Sequence, residues 1–419
     1  MPEILSRAGQ AWRVHSHGSQ PPGGAVPDSV NRALAAAVLT CLAIALIGLA
    51  ILWPSKSRIA APPGTGGSTT LFRGTVTFVK NYECRYDTGS GTAPATSASK
   101  PQCETSQVAM HNGPERGQEV PVDTNSAAGT ADLHVGDQIL VARTTGPDNT
   151  PTYVFVDYQR GTPLLWLGLV FALFVVGVAR WRGMGALVGL GITWLVLVRF
   201  MLPALLDGKN ALAVALVAAA LVLGSVLFVA HGFNARTATA VLGTLASLLL
   251  VGLIGVVSVG ATRLNGTGSD EGTYLQSIAG SVSLRGLLLA GMVIGALGVL
   301  NDMSVTQASA VWEIHLADPS QGAGRVYRSA MRVGRDHIAS TVYTLVLAYA
   351  GAALPLLLLF NLAGRHVSDV VTSELIAEEV VRTLVGSIGL VACVPLTTIL
   401  AAVVVTVPHR AARSGPATT

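Results

Sequence analysis

The chain has 419 residues, 51% of them hydrophobic and only 12% charged, with a formal net charge of +4. A soluble protein of this length carries about 25% charged residues, so the composition excludes one and describes a polytopic membrane protein. The basic balance does not point to nucleic acid, because the arginines stand mainly beside apolar segments. Arg outnumbers Lys, and Ala, Gly and Val abound, a bias of GC-rich bacterial genomes.

Residues 1–32 show no periodicity and read as a disordered tail. The run "ALAAAVLTCLAIALIGLAILW", 33–53, is long enough to cross a hydrocarbon core. A cleaved signal peptide is the alternative, but the leader is long and the apolar run exceeds a signal core, so an uncleaved helix is preferred. Residues 54–162 form a domain outside the membrane. "LFRGTVTFVK", "GQEVPV", "QILVAR" and "TYVFVDY" are β-type runs separated by Gly, Asn and Asp clusters. "LHVGDQILV" is a turn into a strand, and an OB-like small barrel is expected. The domain shows no aromatic ladder and little net charge, which argues against nucleic acid. Cys84 and Cys103 both fall in it and read as a disulfide in an oxidising compartment. Such a bridge contributes ~3 kcal/mol on the chain-entropy account. Two free thiols are the alternative; a metal pair lacks a nearby third ligand. Cys41 and Cys393 lie in apolar runs as small packing residues.

Seven further spans fill a core at 163–407: 163–179, 186–206, 211–230, 238–260, one beginning at Gly286, 338–361 and about 383–407. Residues 408–419 are a second tail. Lys and Arg bias sets the orientation. With both termini cytoplasmic, Arg180, Arg182, Arg236, Arg325, Arg328, Arg332, Arg335, Arg410 and Arg413 all fall inside. The opposite loops, 207–210, 262–285 and 362–382, are mixed or acidic, although Arg263 and Arg285 lie in one of them. The expected fold is therefore an α-helical polytopic membrane protein of eight transmembrane helices. One is an anchor and seven form the core, with a small extracytoplasmic β-domain between them. The expected place is the inner membrane of a bacterial cell.

Two stripes stand out. Asp302, Thr306, Ser309 and Glu313 recur every three or four residues and share one helix face. Arg325, Arg328, Arg332 and Arg335 do the same on the next segment, followed by Asp336, Ser340 and Tyr343. Asp302 comes too early in its span to reach water, so it needs a partner or a water-lined site. The expectation is that both stripes face inward and meet, with Asp302 within reach of Arg335, His337 or the His231–Arg236 loop. The bland alternative makes the arginines a headgroup-facing patch. Thr237, Thr244 and Ser247 share a side of their span as packing or backbone-bonding residues. Pro355 and Pro395 kink theirs.

"HGFNARTATAVLGT", "GVLNDMSVTQASAVWE" and "VGRDHIASTVYTLVLAYAGAALPLLLL" resemble, in this order, the signature segments of the YibE/F-like family of bacterial membrane proteins. The resemblance covers about 163–407 and, more loosely, the outer domain. It implies an outer N-terminal domain followed by a heptahelical core. It brings no established activity, though a transport role is commonly supposed. One departure is Tyr343, where a small polar residue, often Asn, is expected.

There is no Walker-type phosphate loop and no H-E-x-x-H zincin motif. His231, Asp302, Asp336 and His337 lack tight ligand spacing, so no metal and no cofactor are expected. Nor is an enzyme expected, and no catalytic residue is assigned. The reading is a secondary transporter or permease whose site is His231, Arg236, Gln307, Asp302, Glu313, Arg335, Asp336 and His337. Histidine and carboxylates would relay protons, and Arg236 and Arg335 would hold an anionic group. A scaffold or accessory subunit, with a protein partner at the outer domain and structural ion pairs in the stripes, is the alternative. An odd number of core helices counts mildly against transporter designs built from inverted repeats. Expected partners are the lipid bilayer and a small-molecule or ion substrate.

Overall fold

A computed structural model describes residues 26–55, 70–83, 102–123, 133–145, 150–280, 282–364 and 366–407. The chain forms two compact units, residues 60–177 and residues 1–59 together with 178–419. Most of the expected N-terminal tail, and all of 408–419, lie outside the described residues.

The smaller unit is a five-stranded closed barrel: β1 (Leu71–Glu83), β2 (Gln102–Met110), β3 (Glu119–Asp123), β4 (Gln138–Thr145) and β5 (Pro151–Tyr158). The strand order around the barrel is β1-β2-β3-β5-β4, antiparallel except where β3 runs parallel to β5. A five-stranded Greek-key barrel of this kind is the OB arrangement. Alternating residues supply its core, with Val76, Val108, Val122, Ile139 and Val141 buried together. A Cβ at Gly74 would fall 2.3 Å from Val108 Cγ1, so the glycine lets β1 cross close over β2. The "LHVGD" turn is closed by the Asp137 carboxylate, which accepts from His134 N at 2.8 Å, while Gly136 takes φ 101°. Strand β2 was not among the expected strands. "QCETSQVAM" is too polar to announce itself, yet Ser106 and Val108 are fully buried. Of the expected disulfide, Cys84 lies outside the described residues. The Cys103 backbone pairs with Tyr82 in the β1–β2 ladder, and its side chain is outside them as well.

The larger unit is helical. It contains α1 (Asp28–Leu52), the far part of α2 (Gly161–Val196), a π-turn at Leu197–Met201, α3 (Leu202–Leu206), α4 (Ala211–His231), α5 (Ala235–Ala261), α6 (Asp270–Ile278), α7 (Leu284–Ala317), α8 (Ala323–Ala352), α9 (Leu354–Leu362), α10 (Val367–Thr372) and α11 (Glu374–Thr406). Among the described residues six helices are long and apolar enough to cross a membrane, and the bent pair α8–α9 makes a seventh. The apolar stretch Gly161–Leu206 counts as one of the six. It is broken at Arg180, whose φ of 52° and ψ of −129° end one helix and start another. That break falls between the two spans the sequence separates at "RWRGM". The α8–α9 bend is 59° and sits just before Pro355, where the ring cannot accept a continuing helix.

Helices α5, α7 and α11 form the centre, with α4 and α8 packed on them. The core is aliphatic and small: Val241, Leu248, Val251, Leu297, Leu300, Met303, Leu390 and Val394. Glycines set the closest approaches. A Cβ at Gly389 would meet Val251 Cγ2 at 2.2 Å, and one at Gly48 would meet Val217 Cγ2 at 2.6 Å.

Candidate functional site

The turn between α4 and α5 carries the first motif, "HGFNART". Gly232 adopts φ 77° and ends α4. Asn234 then caps α5, its Oδ1 accepting from Thr237 N at 2.8 Å, while its Nδ2 donates to His231 O at 3.0 Å. One side chain thus ties the end of α4 to the start of α5. The tie leaves His231 and Arg236 beside each other on the wall of a shallow open niche of about 10 Å³, room for little more than one water, lined also by Leu227, Thr237, Ala240 and Val305.

From Thr237 a polar line runs into the bundle. Thr237, Thr244 and Ser247 are buried on one side of α5. Thr244 and Ser247 donate to the carbonyls of Ala240 and Gly243 one turn back, at 2.9 and 2.8 Å. The line meets α11 at Gly243, where a Cβ would fall 2.3 Å from Thr397 Oγ1. On α7, Ser304 Oγ lies 3.0 Å from Cys393 Sγ and 3.3 Å from Thr397 Oγ1. Gln307, 1% exposed, lies 3.0 Å through Oε1 from Thr398 Oγ1. Pro395 has no N–H, so this stretch of α11 is also where one backbone carbonyl loses its helical donor.

The Thr398 hydroxyl has one proton and two acceptors, Val394 O at 2.6 Å and Gln307 Oε1 at 3.0 Å. The shorter contact takes the proton. Turning the Gln307 amide over then lets its N–H serve Thr398, and it gives a role to Nε2, which otherwise stands buried without a partner. Helix α8 closes the site at Gly334. A Cβ there would fall 2.5 Å from Val394 Cγ1 and 2.6 Å from Gln307 Nε2. The three motifs therefore converge on "CVPLTT" of α11 through Gly243, through Ser304 and Gln307, and through Gly334.

The expected cluster around Asp302 is not what the structure holds. Asp302, Glu313, Arg335 and Asp336 are exposed, as are Arg325, Arg328 and Arg332; His337 is half-buried. The ion pairs among the described residues are Arg143–Glu115, Arg160–Asp157 and Arg382–Glu379, so none of these charges is in one. Leu300 O accepts from the Cys393 thiol at 3.6 Å, which sets Asp302 level with the middle of the α11 apolar run. The direction of its side chain differs from the expectation. Leu300, Ser304, Gln307 and Val311 form the buried stripe of α7. Asp302, Thr306, Ser309 and Glu313 are the same series moved on by two positions, which is a rotation of ~200°. On α8, Val326, Ala330 and Gly334 are buried, and the arginines fill the opposite face. A helix buries the stripe that leaves no charge unpaired, and here that is the hydroxyl and amide stripe. Of the expected site, the structure brings His231 to Arg236 and places Gln307 in the seam. Ser304, Gly243, Gly334 and Cys393 join them outside the expected set; the Leu300–Ser304–Gln307 spacing is helical, but so is that of the Asp302 stripe, so spacing does not choose between the faces.

A comparison with curated proteins finds no match, and neither does one with solved structures. The YibE/F-like protein family matches residues 167–407, which include α4, α5, α7, α8, α11 and every residue of the seam. The chain belongs to the YibE/F-like family.

Proposed function

We propose that this protein is a permease-like integral membrane protein with both termini in the cytoplasm of a bacterial cell. Small polar solutes or ions would enter at the His231–Arg236 niche and follow the uncharged seam of α5, α7 and α11. The observation that supports this reading is the set of buried uncharged polar side chains, Thr237, Thr244, Ser304, Gln307, Thr397 and Thr398, in an otherwise aliphatic core. Hydroxyl groups suit such a path because each is both donor and acceptor and carries no charge to neutralise. No chemistry on a substrate is assigned to the seam, and the outer barrel stands as a docking domain for a protein partner.

One observation favours the scaffold reading instead. Thr239, Thr244, Ser247 and Thr398 all donate to their own helix backbone, which is how hydroxyls behave as packing residues. Flux separates the two. The full chain in proteoliposomes should pass one member of a panel of small inorganic and carboxylate ions, and Arg236→Gln with Thr397→Val should lower that flux at least tenfold. Flux unchanged in the double variant would remove the seam as a route. Wild-type vesicles tight to the whole panel would leave the scaffold reading.

A further inference from the structure

We propose that the outward polar face of α7 and α8 is the contact between two copies of this chain, related by a two-fold axis along the bundle. The inference is independent of what, if anything, the seam conducts. It starts from exposed charge at the wrong depth. Asp302 points away from the bundle at the level of Cys393 in α11, and Arg335 stands next to Gly334, at the level of Val394. Both levels belong to the apolar run of α11. A long arginine side chain can carry its charge toward a headgroup. Asp302 has no such reach, and among the described residues it has no ion pair.

The face is self-complementary. Helix α7 offers Asp302 and Glu313, and α8 offers Arg325, Arg328, Arg332 and Arg335, with Asp336 the one acid among them. Within the chain the two helices run antiparallel. Gly334 lies against Gln307, Thr341 against Met303, and Tyr349 against Gly295. An axis along the bundle preserves these levels between copies. It sets Glu313 of one copy level with Arg328 of the other. It sets Asp302 one to two turns, ~6–10 Å along the axis, from Arg335 of the other, a span that the long arginine side chain can largely bridge. A two-fold contact makes each such pair twice, so one acidic and one basic stripe suffice. Gly298 is exposed on the same stripe as Asp302 with nothing within 4 Å of a Cβ, which leaves room for a second helix to come close. A lipid chain meets none of these requirements.

The test uses the full chain in lipid nanodiscs, read by native mass spectrometry. Wild type should appear at twice the 43.1 kDa of one chain. Asp302→Arg with Glu313→Arg should appear as single chains, and so should Arg328→Glu with Arg335→Glu. The two variants, differently tagged and co-expressed, should recover the double mass as a mixed pair, because both contacts then join opposite charges. Recovery shows that each variant folds. Wild type at the mass of one chain, or of one chain with a different protein, overturns the proposal. So does a double mass that the single-stripe variants leave intact, since the contact then lies elsewhere. Variants that run as single chains, keep wild-type helical circular dichroism and do not pair on mixing overturn it too.

Discussion

Gly334 is the residue on which the seam closes. It has no room for a Cβ, with Val394 and Gln307 both within 2.6 Å of where one would be. Gly334→Ala should therefore force α8 off α7 and α11 and cost ~1–3 kcal/mol as an overpacked site. Gly291 on α7 meets nothing within 4 Å. Gly291→Ala should be neutral or stabilising by up to ~1 kcal/mol, the ordinary helix preference. Thermal unfolding of the two purified variants in one detergent checks the pair, and equal losses would show that space at Gly334 is not the cause. Asp302 shows the opposite economy at the same scale. A carboxylate facing lipid costs ~2.5–3.5 kcal/mol even on the lenient insertion scale. If a second copy covers it, Asp302→Asn weakens pairing; if lipid faces it, the same change stabilises the monomer.

At the scale of elements, carboxylates fix the start of α11 and the turn between α7 and α8. Glu374, at the start of α11, accepts from Asn265 N at 2.8 Å and from Gly266 N at 2.9 Å. This holds the loop after α5 against the helix start, where a negative charge is also favoured. Hydrogen bonds to a charged group contribute ~1.5–3 kcal/mol, so Glu374→Ala should cost about that much and Glu374→Gln less. Faster amide exchange at residues 265–267 in the alanine variant is the check. Between α7 and α8, Asp318 accepts from Ser320 Oγ at 2.6 Å, Gln321 Nε2 at 3.0 Å and Ser320 N at 3.1 Å. The Ser320 hydroxyl first, then Gln321 and the Ser320 amide, hold its carboxyl below the ordinary carboxylate value. The folded value is the lower one. The turn is thus fully stabilised above the ordinary carboxylate range and loses that contribution as pH falls through the folded value. Proteolysis of the 318–322 turn should rise on acidification in wild type, and Asp318→Asn should flatten that rise. An unchanged profile in Asp318→Asn would assign the effect to other groups.

For the whole molecule, orientation is the first thing to measure. With the termini cytoplasmic, residue 270 lies outside and residue 328 inside. In a chain whose four native cysteines are replaced, Asp270→Cys should react with an impermeant thiol reagent in intact cells and Arg328→Cys should not. Labelling of Arg328→Cys in intact cells inverts the topology. The two compact units also make separate predictions for stability. The barrel core is built around Val108, fully buried among Val76, Val122 and Ile139. Val108→Ala should cost ~1–3 kcal/mol there. It should leave the melting of the helical unit where it was, since among the described residues the barrel core is drawn from the barrel unit alone. A matching loss in the helical transition would show that the units unfold together.

Composition and period determined much of this protein. Runs of apolar residues beyond the length of a bilayer require helices whose backbone groups are satisfied internally, and the turns that separate them are written in glycine, proline and charge. Alternation over "TYVFVDY" and the "LHVGD" turn likewise require a small barrel. Even the closure of α4 onto α5 follows from Gly232 and Asn234. What the sequence does not contain is the rotation of each helix about its own axis. Asp302 and Gln307 lie on α7 at neighbouring depths, and both stripes to which they belong have helical spacing. Only the packing of α5, α8 and α11 on one side of α7 decides that the amide goes in and the carboxylate goes out. That choice rests on where glycines let backbones approach, at Gly243, Gly334 and Gly389, and on the cost of burying a charge that no neighbour neutralises.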